Sequence, residues 1–354
     1  LDEQADTILP LCSKANCLHD KEAPPLDVQT AADRKEWIDL CNARVAFPID
    51  ASNIGIAWCS GSLYCLSPNV PSDTGAFGTA ALYRCSPDGS RKDIVYRWDN
   101  TVDIEQWIVH RDVLYYVEHK YQTIDSNVRD VYSVKALALK GTALQPETIY
   151  TTDETIYVTS LNHPRAYGNY LYFQVIGDTA GQAVVTDENY REYLYIKTFV
   201  YDMKNKQLGE VGLPDMNKYQ AVQGVIFWNE KIVFRISDFA AEKQETYTFY
   251  IADLDGKNPA VLVEDFPQWQ LLSDGKYLYA TNVQAAYEAG EPGIYWAYDA
   301  NMELVDTFQM PRAQFYANPV GDAQTAYWPF YYGEESQKQG KAGFGLMCWD
   351  KSKI

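Results

Sequence analysis

A short aromatic strand core ending on a tight turn and an Asp or Ser returns six times along the 354 residues, and nothing else in the chain constrains its fold as strongly. Leu82-Tyr83-Arg84-Cys85-Ser86-Pro87-Asp88-Gly89 is the first copy, and Val134-Lys135-Ala136-Leu137-Ala138 is a degenerate second. Thr198-Phe199-Val200-Tyr201-Asp202, Phe249-Tyr250-Ile251-Ala252-Asp253, Tyr295-Trp296-Ala297-Tyr298-Asp299 and Leu346-Met347-Cys348-Trp349-Asp350 complete the set. The anchors at 86, 138, 202, 253, 299 and 350 recur at a period of roughly fifty, which marks a repeat architecture.

A second register gives the same count. Leu63-Tyr64, Leu114-Tyr115, Leu171-Tyr172, Val233-Phe234, Leu278-Tyr279 and Ala326-Tyr327 each follow an earlier apolar run across a short turn. The connecting residues, such as Ser60-Gly61, Arg111-Asp112 and Gly168-Asn169, suit tight hairpins. Each unit therefore holds two hairpins, four short strands in all. Six such units predict an all-β fold, a six-bladed β-propeller of four-stranded blades near 51–98, 103–152, 154–213, 219–266, 268–310 and 313–354. Only Lys351-Ser352-Lys353-Ile354 follows the last anchor, too little for a fourth strand, so an N-terminal strand at 43–49 is expected to close the ring. The domain expectation is a leader, residues 1–42, packed on a single propeller, residues 43–354.

The repeated Asp202, Asp253, Asp299 and Asp350 read as turn-fixing residues, because an Asp side chain accepts from backbone N–H groups two residues on. Most of the 28 tyrosines read as packing between blades.

Composition narrows the partners. With 30 basic and 48 acidic side chains, a net charge of −18 repels nucleic-acid backbones and anionic lipids. No stretch approaches the ~20 apolar residues of a membrane helix. The chain begins at Leu1, which leaves room for an export signal or a lipid anchor upstream.

The connections between second and third strands, His119 to Asp130 and Ile176 to Glu192 among them, are expected to be long loops decorating one face. They carry Tyr121, Asp187, Tyr190, Asp238, Tyr287, Glu288, Tyr331 and Tyr332 as candidate ligand-binding residues. Such aromatic and acidic groups suit sugar rings or a protein partner, and acidic loops also serve solubility alone. No catalytic residues can be assigned among so many acids. His110, His119 and His163 stand near no nucleophile motif and read as structural, and no glycine-rich phosphate loop opens a helix.

The seven cysteines cannot all pair within one chain. Cys59, Cys65, Cys85 and Cys348 lie in strand-like contexts that read as small buried hydrophobes, with a Cys65–Cys85 bridge as the lesser reading. Cys12, Cys17 and His19 form Cys-x4-Cys-x-His, and Cys41 follows a Pro-Pro loop and a short helix expected around Asp33 to Leu40. Three thiolates and one imidazole satisfy tetrahedral zinc in a closed structural site. A Cys17–Cys41 disulfide, leaving Cys12 free, is the competing reading.

With these residues in view, the chain resembles exported lipoproteins of gut Firmicutes, which pair a Cys-x4-Cys-x-His and later Cys-x-Ala leader with a β-propeller of Leu-Tyr-Arg-x-Ser-x-Asp-Gly repeats. The likeness rests on Cys12, Cys17, His19, Cys41 and Ala43, on Leu82-Tyr83-Arg84 with Asp88-Gly89, and on Asp255-Gly256. Blades two, three and five depart from the Asp-Gly turn. The chain also looks distantly like the propellers of lipoprotein receptors. The resemblance implies an exported protein at the surface of a Gram-positive cell and gives no substrate.

The expected function is a monomeric cell-surface binding or interaction propeller with a glycan or protein ligand. The alternative is a carbohydrate-active enzyme, a hydrolase or lyase, using loop carboxylates. A third reading is an envelope scaffold.

Overall fold

The computed structural model describes residues 11–19, 21–25, 30–46, 55–71, 79–99, 101–124, 127–140, 144–153, 155–180, 189–240, 246–268, 270–310, 315–316, 319–321, 324–331 and 344–353. Their strands form six sheets of four strands each. The chain divides into two compact units, residues 1–186 and 187–354.

The first unit opens with the leader. Its helix α1 (Ala31–Asp39) starts at a capping box: the Thr30 hydroxyl accepts from the Asp33 N–H, and the Asp33 carboxylate accepts from the Thr30 N–H at 2.6 Å. The first sheet follows as β1 (Gly55–Cys59), β2 (Ser62–Val70), β3 (Thr79–Cys85) and β4 (Lys92–Arg97) in sequential order. The second is β5 (Asp103–His110), β6 (Val113–Ile124), β7 (Asn127–Ala138) and β8 (Glu147–Thr151). The hairpin β9 (Tyr157–Tyr167) and β10 (Tyr170–Asp178) completes the unit. Ser60 and Gly61, then Arg111 and Asp112, turn the first two hairpins with positive φ at both positions, the geometry that matches strand twist.

The second unit holds a short helix α2 (Tyr190–Tyr193) and the hairpin β11 (Leu194–Asp202) and β12 (Gln207–Val211). Next comes the sheet of β13 (Gln220–Trp228), β14 (Lys231–Asp238), β15 (Tyr247–Asp253) and β16 (Ala260–Phe266). A further sheet contains β17 (Leu271–Ser273), β18 (Leu278–Thr281), β19 (Ile294–Tyr298) and β20 (Leu304–Gln309), with α3 (Val283–Ala289) between β18 and β19. The last sheet is irregular. β21 (Phe315–Tyr316) and β22 (Val320–Gly321) both pair with β23 (Thr325–Tyr331), and β24 (Phe344–Asp350) also pairs with β23. Lys351–Lys353 then form one 3-10 turn.

All the strands fall inside the six ranges read from the repeat. The aromatic pairs sit in second strands whose side chains are enclosed: Leu114, Leu171, Val233, Phe234, Leu278, Tyr279 and Ala326 are all fully buried. Between the first two sheets lie Tyr64, Leu66, Leu82, Trp98, Leu114 and Tyr116. In the second unit Tyr279, Tyr295, Trp328 and Trp349 pack together, with Tyr279 edge-on to Trp328 at 5.0 Å between centroids. Three of the four anchor aspartates fix turns by accepting backbone N–H groups, whereas the Asp253 carboxylate accepts from the Lys231 and Asn258 side chains. Asp202 accepts from the N–H groups of Lys204 and Asn205, Asp299 from Asn301 and Glu303, and Asp350 from Ser352.

Three expectations need correction. His119 to Asp130 is no loop: both strands run on, with Tyr121 opposite Asp130 and Gln122 opposite Arg129. His163, whose Asn162-His163-Pro164 setting suggests a chain corner, lies within β9. Cys348 is exposed and Cys59 is only partly covered, so only Cys65 and Cys85 of that group are buried. As for closure, Arg44 to Ala46 carry no strand, and residues 47–49 lie outside the described residues.

Candidate functional site

The leader brings Cys12, Cys17, His19 and Cys41 together, with one ligand atom from each within 4.8 Å of all the others. Three residues, Asn42, Arg44 and Lys92, create this meeting. The Cys12 thiol accepts from the Asn42 N–H at 3.3 Å, and the Asn42 side chain donates to the Gly89 carbonyl at 2.8 Å. Arg44 gathers the carbonyls of Leu18, His19, Lys21 and Trp37 and stacks on the Trp37 ring at 4.2 Å. Lys92, reaching over from β4, donates to the carbonyls of Ile38, Cys41 and Arg44 at 2.8, 3.0 and 2.6 Å. Burial lowers the Lys92 ammonium to about 8, against the opposing pull of Asp39.

Within the cluster His19 Nδ1 lies 3.3 Å from Cys41 Sγ. Burial alone would raise the Cys12 thiol, but the N–H groups of Lys14 and Asn42 and the thiols of Cys17 and Cys41 bring it down to about 7. Cys17 moves the other way, to about 11, through burial and the neighbouring Cys41 and Cys12. Cys12 thus favours a thiolate beside a Cys17 thiol that resists ionisation. All seven cysteines are free thiols. The four-atom cluster can hold a metal ion.

Gly89 makes the docking possible. Its φ is +67°, and a Cβ there would fall 2.6 Å from the Cys12 backbone nitrogen. Gly89→Ala is therefore expected to cost about 1–3 kcal/mol of stability, by backbone strain and by pushing Cys12 outward. Thermal unfolding monitored by tryptophan fluorescence checks this, and an unchanged midpoint would refute the close approach.

A second cluster escaped the sequence reading. Strand alternation puts His119 and Tyr121 on one face of β6, and the register sets them against Asp130 and Tyr132 of β7. His119 Nε2 lies 2.6 Å from Asp130 Oδ1, and Nδ1 lies 3.4 Å from Glu105 Oε1. The imidazole is buried, stacked on Tyr132 at 4.5 Å and edge-on to Tyr121 at 4.8 Å. Glu105 reaches it because a bulge between Ile104 and Trp107 re-aims the strand. Burial pushes the Glu105 carboxyl up, and Asp103 and Asp130 push the same way against His119. Tyr121 itself is 67% exposed. The i, i+2 pattern His119-x-Tyr121 facing Asp130-x-Tyr132 was the available signal.

The other candidate residues are dispersed. Tyr190 opens α2, where Arg191 stacks over its ring at 5.7 Å. Asp238 ends β14 and accepts from the Ala240 N–H and from Gln220. Tyr287 and Glu288 lie in α3, and Tyr331 ends β23. Asp187 and Tyr332 lie outside the described residues.

No protein-family profile matches the chain, and no curated protein matches it. Among solved structures it is similar to an oligogalacturonate lyase from Vibrio parahaemolyticus (11% identity, TM-score 0.52, covering 83% of this chain and 84% of that one). It is also similar to the acylaminoacyl peptidase of Pyrococcus horikoshii (9%, 0.52), of which it spans 45% while 84% of this chain is covered. The β-propeller domain of the trilobed protease from Pyrococcus furiosus aligns at 10% identity and a TM-score of 0.48, over 84% of this chain and 81% of that one. At such identities the likeness concerns the fold alone, and in no case the chemistry.

Proposed function

We propose that this chain is a binding module of the cell surface, a monomeric six-bladed propeller whose ligand is a glycan. The observation that carries the reading is the exposed Tyr121 ring set against a buried imidazole held by two carboxylates. A sugar ring stacks on an aromatic face while its hydroxyls donate to carboxylates, and the rigid paired strands beneath hold both at little entropic cost. In the leader, Cys12, Cys17, His19 and Cys41 hold a structural zinc, a soft cation suited to three thiolates and an imidazole. Export, with an anchor upstream of Leu1, follows from the resemblance of the leader and repeats.

A glycan array followed by calorimetry tests the ligand. Wild-type protein should retain at least one glycan, with Tyr121→Ala weakening it about tenfold. No retained glycan, or retention indifferent to Tyr121, would sink the proposal.

A further inference from the structure

A cavity of about 260 Å³ lies between α1 and the first sheet, lined among others by Lys35, Ile38, Asp39, Tyr83, Ile94 and Arg97. It is smaller than the ~300–1,000 Å³ of drug-sized sites, so its occupant is small. Tyr83, at 3% exposure, lines this cavity with its ring buried against the sheet. A tyrosine hydroxyl at the wall of a cavity can donate to an acceptor that enters it. Among the described residues Arg97 uses only Nη1, which donates to the carbonyls of Val70 and Pro71 and to Thr79 Oγ1 at 3.1, 3.4 and 2.8 Å. Nε and Nη2, the edge of the guanidinium that grips a carboxylate with two parallel bonds, remain.

Charge fixes the class of ligand. Lys35 is paired with Asp39 at 2.7 Å, which leaves Arg97 as the unbalanced cation among the described residues of the wall. One positive charge calls for one negative charge, in a protein whose net charge is −18. Ile38 and Ile94 offer apolar surface beside it.

We propose that this cavity binds a small monocarboxylate with a short aliphatic chain, its carboxylate taken by Arg97 and the Tyr83 hydroxyl and its chain lying against Ile38 and Ile94. The site is separate from the Tyr121 cluster and needs only a docked leader, since α1 forms one wall.

Sodium hexanoate is the probe, with sodium acetate and hexan-1-ol as the two halves of its chemistry, each titrated by calorimetry into the full chain as purified with zinc. Hexanoate should bind saturably, and each half at least about tenfold more weakly. Tyr83→Phe should weaken hexanoate about tenfold while leaving the ligand-free melting temperature unchanged. Arg97→Gln should weaken it further. Should that variant fail to fold, Tyr83→Phe alone decides. No hexanoate binding, equal binding by Tyr83→Phe, or a lower ligand-free melting temperature in Tyr83→Phe would each overturn the proposal.

Discussion

Cys41→Ala is expected to free the leader from the first sheet, with zinc content falling from one ion per chain to near none and residues 11–46 becoming cleavable by protease. Cys41 supplies one of the four ligand atoms and its thiol lies against His19, so its loss dismantles the metal site, while the backbone carbonyl that Lys92 holds survives the substitution. Losing an outer partner of a metal ligand typically weakens binding 10–100-fold, and loss of the ligand itself should exceed about a hundredfold. Because the unfolded leader offers no preformed site, metal affinity and docking are one free energy. Elemental analysis of protein purified with zinc, alongside mass mapping of proteolytic fragments, checks the result. Zinc-free wild-type protein with two fewer titratable thiols would replace the metal by the Cys17–Cys41 disulfide.

The second large effect lies at the other end of the chain. Lys351 Nζ meets Asp274 Oδ2 at 2.5 Å with side chains 2% and 0% exposed, and the same carboxylate accepts from the N–H groups of Lys276 and Tyr277 and from the Tyr279 hydroxyl at 2.6 Å. Lys351→Met leaves that carboxylate buried and unpaired, and the expected cost is about 3–5 kcal/mol. The double variant Lys351→Met with Asp274→Leu should recover much of it, since paired apolar replacements of buried ion pairs are near neutral. Chemical denaturation of the single and double variants measures both. A single variant within about 0.5 kcal/mol of wild type would remove the ion pair from the stability of the second unit.

The same pair shapes the acid limit. Burial alone would push the Asp274 carboxyl up, but the Lys351 ammonium, the two backbone donors and the Tyr279 hydroxyl outweigh it and hold the carboxyl below its ordinary range. Stability from a carboxylate held low is fully present above its unfolded value of about 3.9 and drains away as the pH falls through the folded value. Wild-type protein should therefore lose stability below about pH 4, and Lys351→Met should lose less over the same window.

The architecture was legible because it is periodic. Aromatic pairs such as Leu171-Tyr172 and Leu278-Tyr279 recur at one place in every repeat, since the second strand of each sheet is covered on both faces. The thiol and imidazole cluster was legible for another reason: cysteine and histidine are scarce here, and four of them stand close to one another in the leader. His119 with Glu105 and Asp130 could not be picked out, because its carboxylates are two among forty-eight acids and one of them is delivered by a bulge. Lys351 and Asp274 were hidden likewise, as an ion pair across distant segments leaves no periodic trace. The misread connection at His119 to Asp130 has a simple cause. Its residues, from Tyr121 and Thr123 to Val128, form a good strand, and length was taken for looseness.

The bonds from Lys92 to Ile38, Cys41 and Arg44 also set an order of events during synthesis. The leader is made first, yet the cation that clasps it belongs to the fourth strand of the first sheet, and Gly89 beneath Cys12 comes barely earlier. The four metal-binding side chains therefore wait, unorganised, until roughly a quarter of the chain exists and has folded behind them. An ion held by these four side chains would then act as a checkpoint, since a chain that bound it would already have completed its first sheet.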